Sequence, residues 1–155
     1  MKIDNKKARI ILAVIIAVSL VISTVYMFAK QGFHEDELLT YNLANSSKQL
    51  NVDGGWNSPE DFNEYLAVSP DDRFDYAQVY ENQIIDASHP PLYYALVHTV
   101  CSFFPSVFSK WLAYSINVLA MAGILIMLYK IGRKITGNNL YALIGVGAYA
   151  LSIAC

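Results

Sequence analysis

Residues 10–29 read IILAVIIAVSLVISTVYMFA, twenty consecutive positions without an Asp, Glu, Lys, Arg or His. At about 1.5 Å of rise per residue, a helix over this stretch is roughly 30 Å long, the thickness of a bilayer's hydrocarbon core. A chain that is 55% hydrophobic and still 15% charged keeps the two kinds of residue apart, and this run is the clearest block. Lys2, Lys6, Lys7 and Arg9 precede it in the manner of a signal peptide. The apolar run is longer than the usual h-region of about 7–15 residues, so it reads as a retained anchor.

Working outward, residues 110–130 form a second span, with Ser115 and Asn117 as its polar interruptions, and residues 139–155 begin a third that stops without a polar flank. The chain is therefore expected to be a truncated, all-α, multi-pass membrane protein. Residues 1–9 and 131–138 carry Lys2, Lys6, Lys7, Arg9, Arg133 and Lys134, with Lys130 at the border, and Lys and Arg near span ends are kept on the cytoplasmic side. Both segments belong inside, which places residues 30–109 outside the cytoplasm at the cell membrane.

Twelve of the thirteen acidic residues fall in that outer region, against Lys48 and Arg73 in its interior. Such an acidic surface excludes nucleic acid as a partner, because phosphate backbones require basic patches. Residues 30–89 are too long for a passive connection. Glu35, Asp36 and Glu37 sit where a helix dipole favours negative charge, predicting a helix to about Leu50 with Leu39, Leu43 and Leu50 on its buried side. Asn51 to Gly55 reads as a turn, and Ser58-Pro59-Glu60-Asp61 as the start of a short helix to about Val68. A further helix, capped by Asp71 or Asp72, is predicted to reach Ile85 with Phe74, Ala77, Ile84 and Ile85 inward.

Residues 90–104 are apolar but too short to span, and letting them cross would reverse the side of the Lys130, Arg133 and Lys134 cluster. They are predicted to form an interfacial amphipathic helix opened by Pro90 and Pro91. Its apolar face holds Leu92, Tyr93, Leu96, Val97, Val100, Phe103 and Phe104, and its narrow polar stripe holds Tyr94, His98 and Ser102. The stripe faces water or a neighbouring segment. Cys101 and Cys155 both lie in apolar settings, and their spacing suggests neither a disulfide nor a metal site.

Asp36 is the first candidate for chemistry, since a carboxylate a few residues beyond a span stands where a lipid-linked head group lies and can act as a general base. Acidic residues at a helix start also serve the dipole alone. His89 is held extended by the proline after it, and its imidazole can meet a phosphate oxygen or a metal. His98 is expected to pack within the loop fold. A three-histidine site with His34 is a weak reading, because His89 and His98 lie about 180° apart on one continuous helix.

These residues, in this order, resemble the polytopic GT-C glycosyltransferases, in particular the bacterial branch related to protein O-mannosyltransferases and to the aminoarabinose transferase of lipid A. The likeness rests on one span, an outer loop opening with Asp36-Glu37, the segment His89-Pro90-Pro91-Leu92-Tyr93-Tyr94 followed by His98, and a span ending in Gly132-Arg133-Lys134. Such enzymes are much longer, so the chain corresponds to their amino-terminal part and is expected to be inactive alone. The resemblance implies transfer of a sugar from a polyprenyl-phosphate donor, not a nucleotide sugar, to a protein, lipid or glycan acceptor outside the cytoplasm. It implies Asp36 as the catalytic or substrate-orienting acid, supported by Glu37, with His89 and the interfacial helix shaping the site near the donor phosphate or the acceptor. Tyr93, His98 and Arg73 are further substrate-binding candidates, and a divalent cation is a candidate cofactor. Outward-facing basic residues are few, and the aminoarabinose branch carries lysine at the position of His89, so that role is less secure than Asp36's. The competing reading is a small non-enzymatic membrane protein whose acidic ectodomain binds a ligand or cation, with Asp71, Asp72 and Asp75 as the cation candidates, although no EF-hand loop is present.

Overall fold

The structure is a computed structural model describing residues 3–48, 50 and 59–152. The Asn51 to Gly55 turn, the Ser58 cap and Cys155 lie outside the described residues. Seven α-helices follow one another: α1 (Asn5–Ala29), α2 (Glu35–Asn45), α3 (Pro59–Leu66), α4 (Tyr76–Asp86), α5 (Pro91–Ser102), α6 (Lys110–Thr136) and α7 (Asn139–Ala150). No strand occurs among the described residues. Two of the helices, α1 and α6, are long and apolar enough to cross a membrane.

The chain divides into two compact units, residues 1–31 with 117–155, and residues 32–116. In the first, α1 is capped by Asp4, whose carboxylate accepts from Lys7 N at 2.9 Å. The helix exposes Ile10, Val14, Val18, Val21 and Val25 along one side. A continuous apolar face of that length is favourable only against another apolar medium or partner. The opposite side packs Ala8 and Leu12 with Leu125 and Tyr129 of α6 and Ala142, Leu143 and Val146 of α7. Asn139 fastens this end, donating to Ile3 O at 2.8 Å and accepting from Tyr129 Oη at 2.9 Å. Arg133 and Lys134 lie in the last turn of α6, where positive charge suits the dipole. Gly137 then turns the chain at φ +63°, and Asn138 caps α7 by accepting from Leu140 N. At Gly132 a Cβ would come within 3.3 Å of Ala142 Cα, so the small residue sets how closely α6 and α7 approach.

In the second unit, α2 packs on α5, α3 and α4, and α4 packs on α5. Its core is Tyr41, Ala44, Leu66, Val68, Val79, Tyr94, Val97 and Cys101. Buried side chains also close the helix ends, whose last carbonyls have no partner within the helix. Asn82 donates to Leu43 O and Ser46 O, and His98 Nδ1 donates to Ala44 O at 2.9 Å, together terminating α2. Asn42 and Asn45 do the same for α3, donating to Tyr65 O and Leu66 O. Tyr41 Oη donates to Ser109 O at 2.7 Å and accepts from Ala113 N at 2.9 Å, which fixes α2 to the first turn of α6.

Four expectations are corrected. Helix α2 stops at Asn45, not Leu50, because its terminal carbonyls are taken by Asn82 and His98. It buries Tyr41, Asn42, Ala44 and Asn45, while Leu39 is exposed and Leu43 and Leu50 are half-buried. Helix α4 starts at Tyr76 under an Asp75 cap, since Asp75 Oδ1 accepts from Ala77 N and Gln78 N. Its inward residues are Val79 and Gln83, and Phe74, Ala77, Ile84 and Ile85 are exposed.

Candidate functional site

Helix α2 opens with His34 as its cap. The Glu37 carboxylate accepts from His34 N at 2.9 Å, and His34 Nδ1 accepts from Asp36 N at 3.3 Å, a reciprocal capping box. Glu37 is thereby engaged in helix initiation. Asp36 is turned outward, its side chain 86% exposed, with Oδ2 at 3.3 Å from His34 Nδ1. That one ring nitrogen faces both the Asp36 amide and the Asp36 carboxylate. The Asp36 carbonyl accepts from Thr40 Oγ1 at 2.7 Å.

The second wall comes from the turn between α4 and α5. Ala87 adopts a left-handed conformation at φ +54°, and the chain then curls around Asp86. Asp86 Oδ2 accepts from Ser88 N at 3.2 Å and His89 N at 3.1 Å, and meets His89 Nδ1 at 2.8 Å. The hydrogen bond from His89 chiefly holds the Asp86 carboxyl below its ordinary pKa, against a smaller opposing effect of burial. With Nδ1–H directed at Asp86, the Nε2 nitrogen is the one left for a ligand, and the ring is half exposed. Pro90 and Pro91 start α5 with no side-chain cap and no acidic residue in the first turn. The first turn of α5 is therefore the positive end of a twelve-residue helix.

Tyr94 joins the two walls. It is buried, its ring lies 6.0 Å from that of His89, and burial first, then the negative charge of Asp86 and more weakly of Asp36, raise its pKa. Asp36, Thr40, Asp86, His89 and Tyr94 thus share one end of this unit. Tyr93 is half-buried beside Tyr94, at 6.2 Å between ring centroids, and packs against the core.

The other candidates lie elsewhere. His98 is fully buried, with its ring edge-on to Tyr76 at 5.7 Å. Burial lowers its pKa, so the ring is neutral with the proton on Nδ1, serving as a cap for α2. The stripe of Tyr94, His98 and Ser102 turns inward to neighbouring segments, not to water. Arg73 donates through Nε to Ser102 O at 2.8 Å, at the far end of α5. Eleven residues separate Ser102 from Pro91, roughly 16 Å along the axis, so Arg73 is not brought to His89. Lys48 is paired with Glu64 at 2.8 Å. Among the described residues, His34–Asp36 and His89–Asp86 are the histidine–carboxylate pairs, and no group of three or more His, Cys, Asp or Glu side chains converges as a divalent cation would require. Asp86 escaped the sequence reading, and its only local signal is the three-residue spacing to His89.

No protein-family model, curated protein or solved structure matches the chain.

Proposed function

We propose that this chain is the amino-terminal, site-bearing part of a membrane glycosyltransferase that moves a sugar from a polyprenyl-phosphate donor to an acceptor hydroxyl outside the cytoplasm. The observation that carries the reading is an outward Asp36 at the start of α2 and an Asp86-oriented His89 beside Tyr94 of α5, the helix on which α2 packs. They lie in a segment flanked by two helices long enough to span a membrane. One group suits proton removal and the other suits an anion.

In the proposed reaction the acceptor oxygen attacks the anomeric carbon, Asp36 takes its proton, and the bond to the lipid phosphate breaks with its electron pair leaving on phosphate. His89, turned by Asp86 so that Nε2 is outward, and the positive end of α5 would stabilise that charge. Asp86 acts through His89 by fixing its orientation. Attack from the face opposite the phosphate inverts the anomeric centre. The Asp36 carboxylate stays outward because Glu37, not Asp36, closes the capping box.

The test is a transfer assay with Asp36→Asn in the full-length transferase. Loss of roughly 10²- to 10⁴-fold in rate with unchanged folding is the expected outcome for a positioned base. Activity close to wild type would remove Asp36 from that role.

A further inference from the structure

We infer that the α3–α4 loop and the C-terminal end of α5 form an aromatic patch that inserts into the acyl region of a phospholipid surface. Phe74, Phe103, Phe104 and Val107 are all exposed there, and Leu92 and Leu96 continue the same exposed side along α5. The inference rests on the two long helices lying in a membrane, and it is independent of any transfer activity.

The patch is held in place by the backbone. Phe74 and Ser106 both occupy left-handed conformations, φ +60° and +61°, which side chains bearing a Cβ disfavour. Phe74 N donates to Ser102 Oγ at 3.0 Å, Arg73 Nε to Ser102 O at 2.8 Å, and Ser106 N to Val68 O at 2.8 Å. These bonds turn Phe74 out against Phe103, at 5.3 Å between ring centroids, where burial inward would have been the apolar choice. Two strained positions on separate segments converge on one exposed aromatic pair.

Lipid is the occupant that the chain's continuity favours. Val107 lies three residues before Lys110, so it stands within about 11 Å of the start of α6. That start carries Trp111 against Tyr114, with the Lys110 ammonium 5.7 Å from the Trp111 ring, the residue types that settle at a membrane–water boundary. The charges point to apolar insertion instead of attraction to anionic lipid. Asp71, Asp72 and Asp75 surround the single cation Arg73, which is already engaged with Ser102 O and the Phe74 ring. An amphipathic helix seated by such a face lies along the surface, which would keep the His89 end of α5 at head-group depth.

The test uses the full chain in phosphatidylcholine nanodiscs with brominated acyl chains, in a background of Trp56→Phe and Trp111→Phe. Single tryptophans are introduced by Phe74→Trp, Phe104→Trp and, within α6, Leu119→Trp. All three are expected to lose roughly half their emission to the brominated lipid, as befits side chains about 5–10 Å into the boundary region, and to resist aqueous iodide. Exchanging part of the lipid for phosphatidylglycerol is expected to leave the quenching unchanged. Quenching of Leu119→Trp by lipid with either phenylalanine position quenched by iodide would overturn the patch while leaving the spans intact. Failure of Leu119→Trp to be quenched by lipid would overturn the membrane reading itself, and a steep rise with phosphatidylglycerol would replace insertion with electrostatic adsorption.

Discussion

His98→Ala separates a buried cap from a substrate contact. The wild-type ring is fully buried and gives Ala44 O its side-chain donor. Truncation leaves that carbonyl unsatisfied, costing about 1–3 kcal/mol, and opens a cavity where the ring had been, costing about 2–3 kcal/mol. Against this, the variant no longer buries His98 Nε2, which has no hydrogen-bond partner, and that relief is worth roughly 1 kcal/mol. The net loss is about 2–5 kcal/mol, local to the end of α2. Hydrogen exchange on the full chain in nanodiscs reads it directly. Amides of the last turn of α2 are expected to exchange roughly 30- to 4,000-fold faster, at about 1.4 kcal/mol per factor of ten. Protection unchanged at α2 would refute the capping argument. A fall in transfer without any change in exchange would return His98 to the substrate.

Three further outcomes follow from the same geometry. Tyr41→Phe removes a hydroxyl that both donates to Ser109 O and accepts from Ala113 N, and is expected to destabilise the residue 32–116 unit by about 2 kcal/mol in denaturant unfolding. Ala87→Gly relieves a left-handed alanine and is expected to stabilise the α4–α5 turn by up to about 1 kcal/mol, measured as a raised unfolding midpoint. Stability should also fall at both ends of the pH range. His98 has a lowered pKa in the folded chain, so its contribution is complete above the unfolded value and is lost as pH falls toward the folded one. The thiol of Cys101 is pushed up by burial to about 11, so its contribution is lost as pH rises through the range from 9.0 to that value. Thermal melts across pH check the assignment, with His98→Ala lacking the part of the acidic slope that begins below the ordinary histidine value.

The helical class and the long apolar segments were legible because composition alone reports them: twenty uncharged residues in a row require no partner to be understood. The ends of α2 and α4 were not, since they depend on residues distant in sequence. Asn82 and His98 stop α2 from thirty or more positions away, and the strained loop at Phe74 delays α4 until Asp75 can cap it. The stripe of Tyr94, His98 and Ser102 was visible from helical spacing. Its inward direction was open, because spacing says which residues share a face and not what that face meets. Asp36 and His89 were picked out by residue type and by the prolines. Asp86 was passed over because its importance comes from a folded turn in which three donors converge on one oxygen.

The central claim is that residues 30–109 stand on the non-cytoplasmic surface, carrying Asp36 and His89 to a lipid carrier's head group. Labelling of intact cells with a membrane-impermeant maleimide tests it most directly, using Cys155→Ser chains that keep the buried Cys101 and carry either Glu81→Cys or Lys134→Cys. Both positions are exposed. The account expects Glu81→Cys to label in intact cells and Lys134→Cys only after permeabilisation, and the opposite pattern would contradict it.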